Sequence, residues 1–227
     1  LVALGPGDGG LEIGLVQALI GIRPDAEFDI RFYLLDISQP LLSRAHRNAK
    51  DKLEQNNRVV VVAMQGNFHQ LPYFEQIFYS PSRRNRVFTM VGLTFGNLDD
   101  EIRFLTGAFS IARKGDLLVL DFNLAHTQSD DAAKIRATDP VFFHKPRENA
   151  IRWLTGPFRR YTSYRNIELK YDLRLELPVP GSYEIDVTVQ ADRERFSVFR
   201  ARRYDPVSLR ASLSRLGWNT LYFNTFG

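Results

Sequence analysis

The sequence predicts an α/β fold: a parallel sheet with helices on both faces, followed by an antiparallel β extension on the C-terminal side. Three observations predict it. Apolar, strand-like runs alternate with helix-period segments through the first half. Each of the five runs gives way to a polar or glycine-containing stretch, which is where an open parallel sheet places its ligand. From about Asn166 the pattern changes to alternation with period two.

Leu1–Leu4 is the first strand and runs into the glycine cluster GPGDGG. Leu11–Ile22 reads as a helix with Leu11, Leu15, Ala18, Leu19 and Ile22 on its apolar face. Arg31–Leu35 is a second strand ending at Asp36. Ser38 is then the expected N-cap of a helix with Pro40 in its first turn and Leu41, Leu42, Ala45 and Ala49 along it. Arg58–Met64 is a β-branched run of the kind buried on both faces. A polar stretch from Ser80 to Asn85 precedes the fourth strand, Val87–Leu93. Asp99–Ala112 reads as a helix closed by Lys114 and Gly115, and Leu117–Phe122 as the fifth strand.

The second half opens with a weakly patterned, mostly helical stretch, Ala125–Arg160. Leu169, Tyr171, Leu173, Leu175 and Leu177 then alternate along one strand. Tyr183, Ile185, Val187 and Val189 repeat the pattern after the turn signal Pro180–Gly181. Phe196, Val198 and Arg200 suggest a third antiparallel strand. Asp205 and Pro206 start a helix through Leu209, Leu213 and Leu216 that Gly217 ends, and Trp218–Phe226 reads as a last strand. The expectation is one domain over 1–227, with residues 1–124 as nucleotide-binding core and residues 125–227 covering the second substrate. A chain that opens inside its first core strand also points to a lead-in segment before Leu1.

The chain has 227 residues, 44% hydrophobic and 25% charged, enough for a sizeable core. The absence of cysteine excludes disulfides, thiolate metal sites and a cysteine nucleophile, and fits the cytoplasm. Neither a bilayer-length apolar run nor a signal-peptide pattern occurs, so no membrane is expected as partner. The net charge of +4 is gathered in small arginine groups: Arg83, Arg84 and Arg86; Arg159 and Arg160; Arg200, Arg202 and Arg203. Solvated arginines explain these better than a nucleic-acid face, which concentrates its charge on one side. No two of His46, His69, His126 and His144 have metal-ligand spacing, so no metal is expected. Phe142, Phe143, Trp153 and Tyr161 read mainly as core.

Glycine-rich loops after a first strand admit a nucleotide close to the backbone. Gly5, Gly7 and Gly10 fit the dinucleotide spacing G-x-G-x-x-G, and Gly5, Gly7 and Gly9 fit G-x-G-x-G. Asp36, in LLDIS, stands where a carboxylate accepts from ribose hydroxyls. The third strand is followed by Gly66–Asn67–Phe68, the fourth by LTFGN, and the fifth by Asp121 and Asn123.

Asp36 with its following helix and the GNF triplet resemble the pattern of class I S-adenosylmethionine (SAM)-dependent methyltransferases. GNF, VGLTFGNLDDEIRFL, KGDLLVLDFNLA and RARRYDPVSLRASLSRLGW, in that order, resemble the histidine-specific SAM-dependent methyltransferase family, whose best-known members act on the way to ergothioneine. The resemblance implies a Rossmann-like fold and SAM as cofactor. It places Gly5 and Gly7 against the amino-acid part of SAM, Asp36 on the ribose, Asn67 and Phe68 at the adenine, and Gly92 and Asn97 at the junction with the acceptor. In the family the residue matching Asn97 contacts the acceptor's amino group. Asp121 is a candidate base by position.

The chain departs from the family at Ala3 and Leu11, where Glu and Lys are usual, and at Phe199 and Ala201, where histidine methylators carry Glu and Ser. The expected function is N-methylation of a small amine or amino-acid-like acceptor other than free histidine. An RNA or protein methyltransferase, or a non-catalytic relative keeping the fold, are the alternatives. Oligomeric state is not readable.

Overall fold

A computed structural model describes residues 1–22, 29–53, 55–78, 85–127, 129–143 and 148–225. Arg83, Arg84, His144 and Phe226, singled out above, lie outside the described residues. The chain divides into two compact units: Leu1–Leu98 with Arg103–Phe122, and Asp99–Ile102 with Asn123–Gly227.

The first unit holds a parallel sheet of β1 (Val2–Leu4), β2 (Ile30–Asp36), β3 (Val59–Gln65), β4 (Val87–Met90) and β5 (Leu117–Leu120), in the order β3-β2-β1-β4-β5. The parallel sheet is the one the sequence predicts; its order is doubly wound, and the winding reverses between β1 and β4. Helix α1 (Gly10–Ile22) follows β1, and α2 (Gln39–Leu53) follows β2. The Ser38 carbonyl accepts the first helical N–H of α2, from Leu42. Leu42, Ala45, Ala49 and Leu53 bury one stripe of α2 against Phe32, Leu34, Ile13 and Val16.

Two expectations for this unit are corrected. Helix α1 buries Ile13 and Val16, whereas Leu11 and Ile22 are exposed. β3 is not buried on both faces: it pairs with β2 only, lies at the end of the sheet, and leaves Val60 exposed. The third helix, α3, runs from Glu101 to Ala108 and continues as a 3-10 turn, Phe109–Ile111. Asp116 ties the entry of β5 to that of β4, because its carboxylate accepts from the Arg86 backbone and guanidinium and from the Arg113 N–H.

In the second unit β6 (Asn123–Leu124) is followed by helices α4 (Ala132–Thr138), α5 (Pro140–Phe143) and α6 (Glu148–Tyr161). β7 (Ile167–Arg174), β8 (Tyr183–Ala191) and β9 (Glu194–Tyr204) form the expected antiparallel extension, and β6 joins it parallel to β9. The expected face of β7 and β8 is present: Leu169, Tyr171 and Leu173 stand opposite Val189, Val187 and Ile185. β9 does not keep its alternation. A bulge between Val187 and Thr188 skips Val198, so Phe196, Phe199 and Ala201 share a face.

Asp205 caps α7 (Pro206–Arg215) by accepting from the Ser208 N–H, with Pro206 in the first turn. Trp218–Phe226 is not a strand over its described part. Residues 218–225 form no ladder, and Leu221 and Tyr222 are exposed. Trp153 and Tyr161 are likewise exposed rather than core, while Phe142 packs on the cluster of Ile135, Tyr183 and Ile185. No helix among the described residues is long and apolar enough to cross a membrane.

Candidate functional site

In a doubly wound sheet the ligand crevice opens at the carboxyl ends of the strands where the winding reverses. Here that point lies between β1 and β4, inside the first unit. The loop after β1 is built by glycines in alternation: Gly5, Gly7 and Gly9 have φ of +63°, +58° and +77°. Gly10, the third member of the dinucleotide spacing, is the first residue of α1 and has no such conformation. The role of close helix approach falls to Gly9 instead: a Cβ there would stand 3.3 Å from Ala45 Cβ on α2. The three left-handed residues of the loop are those of the G-x-G-x-G spacing.

Gly5 is the most confined of the three. A Cβ on it would lie 2.9 Å from Thr94 Cγ2 and 3.3 Å from Phe68 Cε1. Thr94 fixes this approach, since its hydroxyl is 3.1 Å from the Gly5 carbonyl and 3.1 Å from that of Val91. Gly7, by contrast, has open space around it.

Asp36 ends β2 and is buried. Its Oδ1 accepts from the Ser38 N–H at 2.8 Å, which leaves Oδ2 without a partner among the described residues. Asn67 engages its side-chain oxygen within the loop. That oxygen caps the 3-10 helix Phe68–Phe74 by accepting from the His69 N–H at 2.9 Å. The half-buried Phe68 ring lies edge-to-face with Phe104 and stacks on His69.

The loop after β4 carries the other expected residues. Gly92 and Leu93 both have positive φ, +76° and +66°. Asp121, just after β5, holds this strained pair: its Oδ2 accepts from the Gly92 N–H at 2.9 Å and its Oδ1 from the Leu93 N–H at 2.8 Å. The geometry gives Asp121 a positioning task, each carboxylate oxygen accepting one backbone N–H of this loop. Asn97 ends the 3-10 helix Thr94–Asn97 and is exposed, with its amide unengaged among the described residues. Leu11 stands beside Gly92, 4.0 Å from where a Cβ there would be, so an apolar side chain borders the crevice.

One residue of this region is not among those singled out from the sequence. Glu12, in the first turn of α1, is 1% exposed, and its Oε1 has no hydrogen-bond partner. Burial pushes its carboxyl up to about 7, against a downward pull from its own backbone N–H, and the charges of Asp121 and Asp8 push it further the same way. The only sequence signal is a lone acid in the apolar run LEIGLVQALIGI, and an acid in a first helical turn ordinarily reads as a partner of the helix dipole.

In the second unit, Ala201 packs against the apolar cluster around Tyr183 and Ile185, and Phe199 stands opposite Val187. The arginines at 200, 202 and 203 are paired with Asp99, with Glu101 and Glu184, and with Asp139, respectively. Arg202 is wholly buried, which corrects its reading as a solvated residue. His126 donates its backbone N–H to the Tyr183 hydroxyl. No group of three or more metal-ligating side chains occurs among the described residues.

Fold and site together define a doubly wound α/β protein with a glycine-lined crevice at its reversal point and, at the neighbouring strand end, a carboxylate oxygen unengaged among the described residues. No protein-family model matches the chain, and no curated protein matches it significantly. Two solved structures it is similar to are methyltransferases by description. One is a candidate methyltransferase of Bacillus halodurans C-125, 16% identical with a TM-score of 0.39, over 77% of this chain and 67% of that one. The other is the small RNA methyltransferase HEN1, 15% identical with a TM-score of 0.38, over 89% of this chain. The match spans 24% of the HEN1 chain. Likeness at this level does not extend to what those proteins act on.

Proposed function

We propose that the chain is a SAM-dependent methyltransferase that N-methylates a small amine or amino-acid-like acceptor. The observation that carries the reading is the left-handed alternation of Gly5, Gly7 and Gly9 beside Asp36, whose Oδ2 is free to accept. The residues present fit the cofactor: the glycines leave a cradle open at Gly7, and a buried acceptor is left without a partner at Glu12. The cofactor supplies a methyl group already activated on a sulfonium, so positioning and exclusion of water matter more than acid–base strength.

Each residue then has a task. Gly5 and Gly7 admit the ligand against the backbone. Asp36 Oδ2 accepts from the ribose hydroxyls. Phe68 supplies apolar surface at the adenine, and Asn67 holds the turn that presents it, with its amide N–H₂ left as a donor. Asp121 fixes the Gly92–Leu93 loop, and the Asn97 amide serves the acceptor.

A charge-assisted hydrogen bond contributes about 1.5–3 kcal/mol. The Asp36→Ala variant is therefore expected to bind S-adenosylhomocysteine about one to two decades more weakly in calorimetric titration. NAD is expected not to bind at micromolar concentration, since Asp36 and the Gly66–Asn67–Phe68 triplet read together as a SAM pocket. Saturable NAD binding that no SAM analogue displaces, or an unchanged affinity in the variant, would overturn the cofactor reading.

Free histidine is expected to be inert as acceptor. A site that selects an imidazole needs buried polar partners, and the rejection of mismatched ligands follows from leaving such groups unpaired. Phe199 and Ala201 offer none, and Ala201 is part of an apolar cluster. A methyl-transfer assay over a panel of amino acids and amines tests this. Conversion of histidine to its trimethylated betaine at an enzymatic rate would show it wrong.

A further inference from the structure

We propose that Glu12 receives the ammonium of the amino-acid portion of the bound cofactor, in place of the carboxylate that the family resemblance would put at Ala3. The inference rests on the SAM reading of the crevice. Its ground is a conflict inside the fold. Glu12 is 1% exposed, and Oε1 has no donor. Burying an acceptor without a partner costs stability, and native folds rarely tolerate one without a use for it.

The charged groups acting on Glu12 deepen the conflict. They are Asp8, in the glycine loop, and Asp121, at the end of β5, and both are acids. No basic side chain is among them. Glu12 stands in the first turn of α1, which follows the glycine loop, and the adjacent Leu11 borders Gly92 of the loop after β4. A buried, orphaned acceptor on which the acting charges are both acidic is complementary to a cation that also donates hydrogen bonds. A primary ammonium satisfies both demands.

β1 itself cannot supply this charge. Ala3 is fully buried in the sheet and contributes only a methyl group. The first turn of α1 lies just beyond the glycine loop, so a carboxylate there reaches the same loop from the helix side. The position matching the family's lysine is Leu11, which carries no charge to compete for Glu12.

The sign of the pH dependence follows. In the free protein the Glu12 carboxyl sits near 7, so it is mostly protonated at pH 5.5 and mostly ionised at pH 7.5. Capture of an ammonium favours the ionised form and releases the proton. Affinity for S-adenosylhomocysteine is therefore expected to rise about tenfold or more between pH 5.5 and 7.5.

The experiment is calorimetric titration of the full chain across this range, in buffers of differing ionisation enthalpy so that released protons are counted. S-adenosylhomocysteine is compared with 5′-methylthioadenosine, which lacks the amino-acid portion, in wild type and in Glu12→Gln. Glutamine has the shape of the neutral acid and should leave the thermal unfolding temperature at pH 7.5 undiminished. The expected result is proton release and a pH slope for S-adenosylhomocysteine in wild type only. A loss of about tenfold in its affinity is expected for Glu12→Gln at pH 7.5. Methylthioadenosine should bind both proteins alike, with no slope.

Equal binding of S-adenosylhomocysteine by the two proteins, or the same slope for methylthioadenosine, would overturn the assignment to Glu12 and leave the SAM reading standing. Failure of the wild type to bind either compound would overturn the SAM reading and this inference with it. The wild-type contrast between the two ligands carries the test even if the variant folds poorly.

Discussion

Replacing Arg202 by alanine is expected to destabilise the second unit by about 3–5 kcal/mol, the range seen when one partner of a buried ion pair is removed. The Arg202 side chain is 0% exposed, and its partners Glu101 and Glu184 are 0% and 2% exposed. Its guanidinium donates to both carboxylates, and the Tyr204 hydroxyl donates to Glu101. Burial works against the Arg202 charge, yet hydrogen bonds and charge from Glu101 and then Glu184 hold its pKa above the ordinary value. Burial and the Glu101 charge likewise raise Tyr204, which therefore stays a donor. Alanine would leave Glu101 buried without the counter-charge of Arg202, and Glu184 with Arg174 at 4.0 Å in its place.

Both tryptophans of the chain, Trp153 and Trp218, belong to the second unit, so their fluorescence reports its unfolding in urea. A loss below about 1 kcal/mol, typical of an exposed pair, would show that the network is not the buried unit described. A companion variant makes the point sharper. Arg202→Ala combined with Glu101→Gln and Glu184→Gln removes both buried carboxylate charges and is expected to be less destabilised than Arg202→Ala alone.

The second large effect is expected at Gly5, where alanine meets two costs. The left-handed conformation, φ +63°, costs a residue with a Cβ about 1–2 kcal/mol. The new methyl would also stand 2.9 Å from Thr94 Cγ2, a crowding that typically costs a further 1–3 kcal/mol. The sum is a destabilisation of about 2–5 kcal/mol in urea unfolding followed by circular dichroism. Gly7 isolates the first cost. Its φ is +58°, but its Cβ position is open, so Gly7→Ala should lose only about 1–2 kcal/mol. Thr94→Ser removes the crowding atom while keeping the hydroxyl on the Gly5 carbonyl. Combined with Gly5→Ala it should recover the crowding cost, a coupling of about 1 kcal/mol or more. Equal losses at Gly5 and Gly7 would dispose of the idea that Thr94 and Phe68 shape the cradle.

The elements most legible in the sequence are those whose signal is local. Ser38 and Asp205 mark helix starts because their place before a helix with an early proline is local chemistry. Alternation placed Leu169, Tyr171 and Leu173 on one face because a strand has a period of two regardless of its partner. The glycine loop, Asp36 and the five parallel strands were likewise readable, because a parallel sheet puts its polar strand ends on one edge; the order of those strands was not.

What the tertiary structure alone decided depends on partners distant in sequence. LEIGLVQALIGI is apolar almost all round, so its own period could not say that Ile13 and Val16 turn inward and Leu11 outward. RVVVVAM has the composition of a central strand, but its place beside β2 alone makes it an edge. Arg202 resembles its neighbours Arg200 and Arg203 in sequence, and only the folding of Glu101 and Glu184 around it makes it a buried ion. Asp121 reads as a free acid until the Gly92 and Leu93 N–H groups, 29 and 28 residues earlier, are found on its two oxygens. Glu12 is the extreme case. A first-turn acid is ordinary, and what sets it apart is the absence of a donor in its surroundings, a property of all the residues that enclose it and of no segment of sequence.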